Sequence, residues 1–173
     1  MAPKLRTVTN IADLSLNRDS FTYIIISILR NGYSLKMRVK GTSMFPFIKE
    51  NDLLTILPPE KAFARLGTIV CFINPINRSI TIHRVIDCNK DYYITKGDNC
   101  HAEDGRVIRT DILGIVTRVE RKGLNVRYPL HYGARIISII SKLDCVLYRN
   151  AIFKKACYFC LRTHRCIKQY LNK

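Results

Sequence analysis

A mainly β chain of the α+β class is what this sequence predicts, and three observations predict it. Between residues 35 and 128, short runs rich in β-branched residues recur at close intervals, separated by turn formers such as Pro58-Pro59, Asn74-Pro75 and Gly97-Asp98-Asn99. Helical spacing of apolar residues is confined to the two ends, 1–34 and 129–173. An apolar fraction of 47% with 9% aromatics over 173 residues supplies enough material for one core.

The elements follow in order. Asp19 or Ser20 caps a helix whose apolar positions Phe21, Ile24, Ile25, Ile28 and Leu29 fall on one face, and Asn31-Gly32 ends it. From Leu35, the alternation Leu-Lys-Met-Arg-Val-Lys has the period of a half-buried strand and stops at Gly41. Further strands are expected at 53–57, 68–73, 79–86, 92–95, 112–119 and 125–128, giving a compact, mostly antiparallel β domain. Beyond Gly133, Ile136, Ile140, Leu143 and Leu147 line one side of an amphipathic helix, with Arg135, Ser138, Lys142 and Arg149 on the other. The expected organisation is therefore a helical segment over 1–34, a β core over 35–128, and a basic helical tail over 129–173.

Charge and cysteine content narrow the setting. Lys plus Arg number 29 against 13 Asp plus Glu, a formal charge of +16, and residues 132–173 hold nine of the bases against the single acid Asp144. Such a tail suits peripheral contact with an anionic membrane surface, each base near it contributing about 1 kcal/mol. Nucleic acid is not expected, since no regular set of stacking aromatics or reading helix interleaves the charges. No apolar run approaches the ~20 residues of a membrane span, the best one ending at Arg30, and no apolar export signal opens the chain. Seven irregularly spaced cysteines fit free thiols, so a cytoplasmic location is expected. Cys157, Cys160, His164 and Cys166 invite a zinc reading, but on a helix Cys166 turns away from the other three, so neither metal nor cofactor is expected.

The residues with chemical potential begin at Gly41-Thr42-Ser43-Met44-Phe45-Pro46, where a strand gives way to a turn that exposes one hydroxyl. A serine hydroxyl is a weak nucleophile until a base takes its proton, and His83 in the strand Ile82-His83-Arg84-Val85 is the candidate base. Strand alternation sets Thr81, His83 and Val85 on one face and Ile80, Ile82 and Ile86 on the other.

Taken together, these segments resemble the type I signal peptidase family, whose nucleophile lies in a Gly-x-Ser-Met-x-Pro run closed by an Asp, here Asp52. The family's Gly-Asp-Asn turn followed by a second Asp is matched by Lys96-Gly97-Asp98-Asn99 and Asp104, and its Ile/Val-x-Gly-x-Val strand by Ile112-Leu113-Gly114-Ile115-Val116. The similarity covers roughly 35–120. His-Arg-Val at 83–85 is similar to the endoplasmic-reticulum and archaeal type, which uses His where most bacterial members use Lys. The resemblance implies a signal peptidase/LexA-like coiled β-sheet core and a serine endopeptidase with Ser43 as nucleophile and His83 as base. The carboxylate that orients the imidazole is Asp104, with Asp98 in support or in its place. Thr42 and Met44 flank the backbone amide of Ser43 at the oxyanion site. A leader or propeptide of a precursor peptide or protein is the expected substrate. LexA-like repressors pair Ser with Lys and carry a DNA-binding helical domain, for which 1–34 leaves little room. The competing expectation is a non-catalytic peptide-binding or membrane-surface-docking module on the same fold.

Overall fold

In the computed structural model the described residues are 7–8, 18–61, 64–126 and 138. The basic tail and its four candidate zinc ligands lie outside them, apart from Ser138, which is helical and buried. The fold is mainly β, with one α-helix among the described residues.

Helix α1 spans Arg18–Arg30. Asp19 sits in its first turn and Arg30 in its last, each opposite in sign to the partial charge of the helix end it occupies. The strands are β1 (Thr7–Val8), β2 (Ser34–Arg38), β3 (Leu53–Leu57), β4 (Ile69–Ile73), β5 (Ile80–Cys88), β6 (Tyr92–Lys96), β7 (Arg106–Ile108), β8 (Ile112–Arg121) and β9 (Leu124–Asn125). They form one sheet in the order β1-β2-β3-β8-β4-β5-β6-β7, with β9 paired to β8. Every pairing is antiparallel except β1 with β2.

The sheet departs from the sequence expectation chiefly at its short pieces. Strands β1 and β7, of two and three residues, were not expected, because so few residues carry no periodic signal. The interior of the sheet matches it to within a residue or two at most strand ends.

Three register shifts bend the sheet, between Thr55 and Ile56 on β3, Cys71 and Phe72 on β4, and Val85 and Asp87 on β5. The sheet thereby gains two buried sides. One gathers Ile25 and Leu29 of α1 with Leu35, Met44, Ile48, Leu54, Ile56, Ile69, Cys71, Leu113, Val116 and Val119. The other gathers Val70, Phe72, Val85, Tyr93, Val107, Ile112 and Ile115. Helix α1 is thus part of the main core. Alternation along β5 sends Ile80 and Ile82 to the first cluster and Val85 to the second. Gly114 sits where β8 crosses the β3 bend: a Cβ there would stand 2.6 Å from Ile56 Cγ2 and 2.7 Å from the Leu57 carbonyl oxygen, so only glycine lets the strands approach this closely.

Candidate active site

Ser43 lies in the loop between β2 and β3. Gly41 has φ of 90°, a left-handed conformation that a side chain resists, and it turns the chain out of β2 just ahead of the serine. After Ser43 the chain coils tightly, with Phe45 N–H donating to Thr42 O at 3.0 Å and Ile48 N–H to Met44 O at 3.0 Å. Met44 anchors the loop from beneath: its side chain is 3% exposed within the main core, so its support of the site is by packing.

The loop closes on Asp52. Its carboxylate accepts the Lys49 amide at 2.8 Å and receives the Arg121 guanidinium from β8 at 2.8 and 2.7 Å, while the same guanidinium donates to Phe47 O. A bidentate pair of this kind fixes orientation as well as distance. Ser43 is left exposed at the surface, between a rigid turn and the sheet.

The turn at 97–100 is stitched to this loop. Asn99 N–H donates to Ser43 O at 2.7 Å, and the Asn99 side-chain amide donates to Thr42 O at 3.3 Å. Gly97 sits at the centre of the join. An ideal Cβ on it would stand 2.6 Å from Cys100 Sγ, 2.8 Å from Ser43 O and 2.9 Å from His83 Nε2. Ser43, His83 and Cys100 therefore converge on the space beside one α-carbon that carries no side chain.

His83 is held from its other nitrogen. Nδ1 lies 2.7 Å from Asp104 Oδ2, with both groups buried. Asp104 is itself fixed by the Thr95 hydroxyl, which donates to Oδ2 at 2.9 Å, by the Asn74 amide, which donates to Oδ1 at 3.5 Å, and by its own N–H, which donates to Thr95 O. A carboxylate at Nδ1 makes that nitrogen the N–H donor of the neutral ring and leaves Nε2 as the proton acceptor. Burial disfavours the imidazolium, but hydrogen bonds to Asp104 and Cys100 and the charges of both outweigh it, pushing His83 from 6.5 to about 9.

Asp98 does different work. Both its oxygens bind Arg84, Oδ1 to Nε and Oδ2 to Nη2 at 2.8 Å each, and both side chains are buried. Arg84 also donates to Gly67 O and lies over the Phe47 ring, 5.6 Å from its centroid. The adjacent residues His83 and Arg84 thus each take one carboxylate, and Asp98 is not the partner of the imidazole.

Of the residues expected from sequence, the Ser43 carbonyl and His83 Nε2 meet beside Gly97, Asp104 holds the other ring nitrogen, Thr42 and Met44 flank the serine, and Asp98 braces the turn through Arg84. No hydrogen bond joins Ser43 Oγ to His83 among the described residues; the serine is tied to the site through its carbonyl. Sequence reasoning missed Thr95 and Asn74, which hold Asp104, and Cys100, whose sulfur lies beside His83 Nε2 at Gly97. Only Gly97 and Asn99 carried a signal, as part of the turn motif. No group of three potential metal ligands occurs among the described residues.

Comparison with protein-family models, with curated proteins and with solved structures finds no match.

Proposed function

We propose that this chain is a serine endopeptidase of the signal-peptidase-like class, acting through Ser43, His83 and Asp104 on a leader or propeptide. The observation that carries the reading is the meeting of three separate segments: an exposed serine turn, a buried imidazole whose Nε2 faces it across Gly97, and a carboxylate on the opposite ring nitrogen. A hydroxyl, a base and an orienting acid in that order are the components of acyl transfer to serine.

In this reading Ser43 Oγ attacks the scissile carbonyl carbon while its proton passes to His83 Nε2. Asp104 holds the ring and stabilises the imidazolium, which then protonates the leaving amine. The acyl-serine ester is hydrolysed by water activated on the same nitrogen. The Ser43 amide, which donates to no acceptor among the described residues, and the exposed Thr42 hydroxyl are the donors for the oxyanion. The bent antiparallel sheet with the serine loop at β2/β3 supports the signal peptidase/LexA type of core.

The free thiols Cys71, Cys88 and Cys100 support a reducing, cytoplasmic setting. No described helix is long and apolar enough to cross a membrane. The proposed contact of 132–173 with anionic lipid concerns residues outside those described.

The decisive experiment is reaction with a fluorophosphonate probe, which needs no knowledge of the substrate. Labelling of Ser43 that disappears in Ser43→Ala and falls by roughly 10⁴-fold in His83→Ala is expected. A folded wild-type chain that takes no label, yet binds precursor peptides as well as either variant, would establish the non-catalytic module instead.

A further inference from the structure

Cys100 is not used by that mechanism, yet it lies within it. Its thiol is half-buried and shares with His83 Nε2 and Ser43 O the space beside Gly97. Thiol, imidazole and carboxylate lie in succession, Cys100 Sγ and His83 Nε2 side by side at Gly97 and Asp104 on Nδ1. An imidazole that accepts the proton is what turns a thiol into a nucleophile.

The other described cysteines are different. Cys71 is fully enclosed in the core, where burial pushes its thiol up to about 12. Cys88 is exposed at the end of β5.

We propose that Cys100 is a second nucleophile of this site, one that reacts with low-molecular-weight disulfides to form a mixed disulfide, and that the adduct shuts off Ser43. The sulfur of Cys100 attacks one sulfur of the disulfide as its proton passes to His83. A new S–S bond forms, the old one breaks, and the departing thiolate leaves with the bonding pair and takes up a proton. Cys100 is oxidised and half of the incoming disulfide is reduced, so the exchange balances, and excess thiol reverses it. Because the sulfur stands at the join between the serine turn and the imidazole, the substituent it gains lies in the path of any acyl group approaching Ser43. The thiol reactivity depends on the geometry alone; its consequence for Ser43 rests on the peptidase reading.

The test is to incubate the reduced full chain with oxidised glutathione at pH about 9, where a large part of His83 is neutral, follow each cysteine by peptide mass spectrometry, and measure fluorophosphonate labelling in parallel. Cys100 is expected to acquire the adduct at least about tenfold faster than Cys88, and to fall to the rate of Cys88 in His83→Gln, with circular dichroism confirming that the variant is folded. The adduct is expected to lower Ser43 labelling at least about tenfold, dithiothreitol to restore it, and Cys100→Ala to keep its labelling in oxidised glutathione. Equal rates at Cys100 and Cys88, a rate unchanged in folded His83→Gln, or undiminished labelling of the adduct would each overturn the proposal. A reduced chain that never takes the fluorophosphonate defeats the peptidase reading alone, since the adduct rate and its dependence on His83 still decide whether Cys100 is the nucleophile described.

Discussion

His83 presents Nδ1 to Asp104 Oδ2 at 2.7 Å, a contact made between a sheet strand and the loop that follows the Gly97-Asp98-Asn99 turn. Because Thr95 and Asn74 also donate to this carboxylate, its position is determined before any substrate arrives. Asp104→Asn keeps the shape but replaces the acceptor charge, so both the tautomer of His83 and the stabilisation of its imidazolium suffer. Fluorophosphonate labelling of Ser43 is expected to slow by about 10³ to 10⁴-fold, with the melting temperature changed far less than by loss of a core residue. Labelling at the wild-type rate would remove Asp104 from the mechanism.

The second carboxylate of the turn has the opposite signature. Asp98 and Arg84 are 2% and 0% exposed, and cutting the acid to alanine leaves a guanidinium buried without its bidentate partner. Removing one member of a buried ion pair costs about 3–5 kcal/mol. Urea denaturation of Asp98→Ala is expected to show a loss of that order. If Asp98→Ala were as stable as the wild type, the bracing role given to Asp98 would be wrong.

Much of this arrangement could be read in the chain, and what could not has a physical cause. The β core was legible because its strands are β-branched and punctuated by Pro, Gly and Asn, and α1 because Phe21, Ile24, Ile25, Ile28 and Leu29 repeat at helical spacing. Ser43 and His83 were legible through motifs whose residue order is unusual. The choice between Asp98 and Asp104 was not, because one lies in the turn and the other just beyond it, and it is the folded register of β5 against β6, Arg84 opposite Lys96 immediately ahead of Gly97, that brings Asp98 to Arg84. Cys100 left no trace at all. A single cysteine has no periodicity, and its contact with His83 exists only after the sheet has folded.

The raised pKa of His83 sets a pH dependence with two parts. A general base acts in its neutral form, so with the imidazole titrating at about 9 the rate of Ser43 labelling should climb roughly tenfold per pH unit from 6.5 and level off near that value. In Cys100→Ala the neighbouring sulfur's part in raising His83 is gone, and the inflection should move to lower pH. Stability runs the other way. Since the folded value lies above the ordinary 6.5, the charged ring stabilises the fold fully below about 6.5 and loses that contribution as pH rises through about 9, a change on the order of 3 kcal/mol that His83→Gln should abolish. A labelling rate already flat at pH 6.5 would mean that the imidazole is neutral there.

Gly97 is the position at which the smallest change should do the most specific damage. A methyl group at its Cβ would stand 2.6 Å from Cys100 Sγ, 2.8 Å from the Ser43 carbonyl oxygen and 2.9 Å from His83 Nε2. The sulfur can rotate aside, but the carbonyl belongs to the backbone and also accepts the Asn99 amide, so the serine loop and the 97–100 turn must part. Gly97→Ala is therefore expected to cost about 1–3 kcal/mol and to slow fluorophosphonate labelling by roughly 100-fold or more, because reacting groups displaced by about 1 Å lose their alignment. Gly123→Ala is the control. That glycine has φ of 78° with nothing within 4 Å of its Cβ position, so the substitution strains the β8–β9 turn by about 1 kcal/mol without touching Ser43. Equal labelling of the two variants would show that Gly97 does not hold the serine turn against the imidazole.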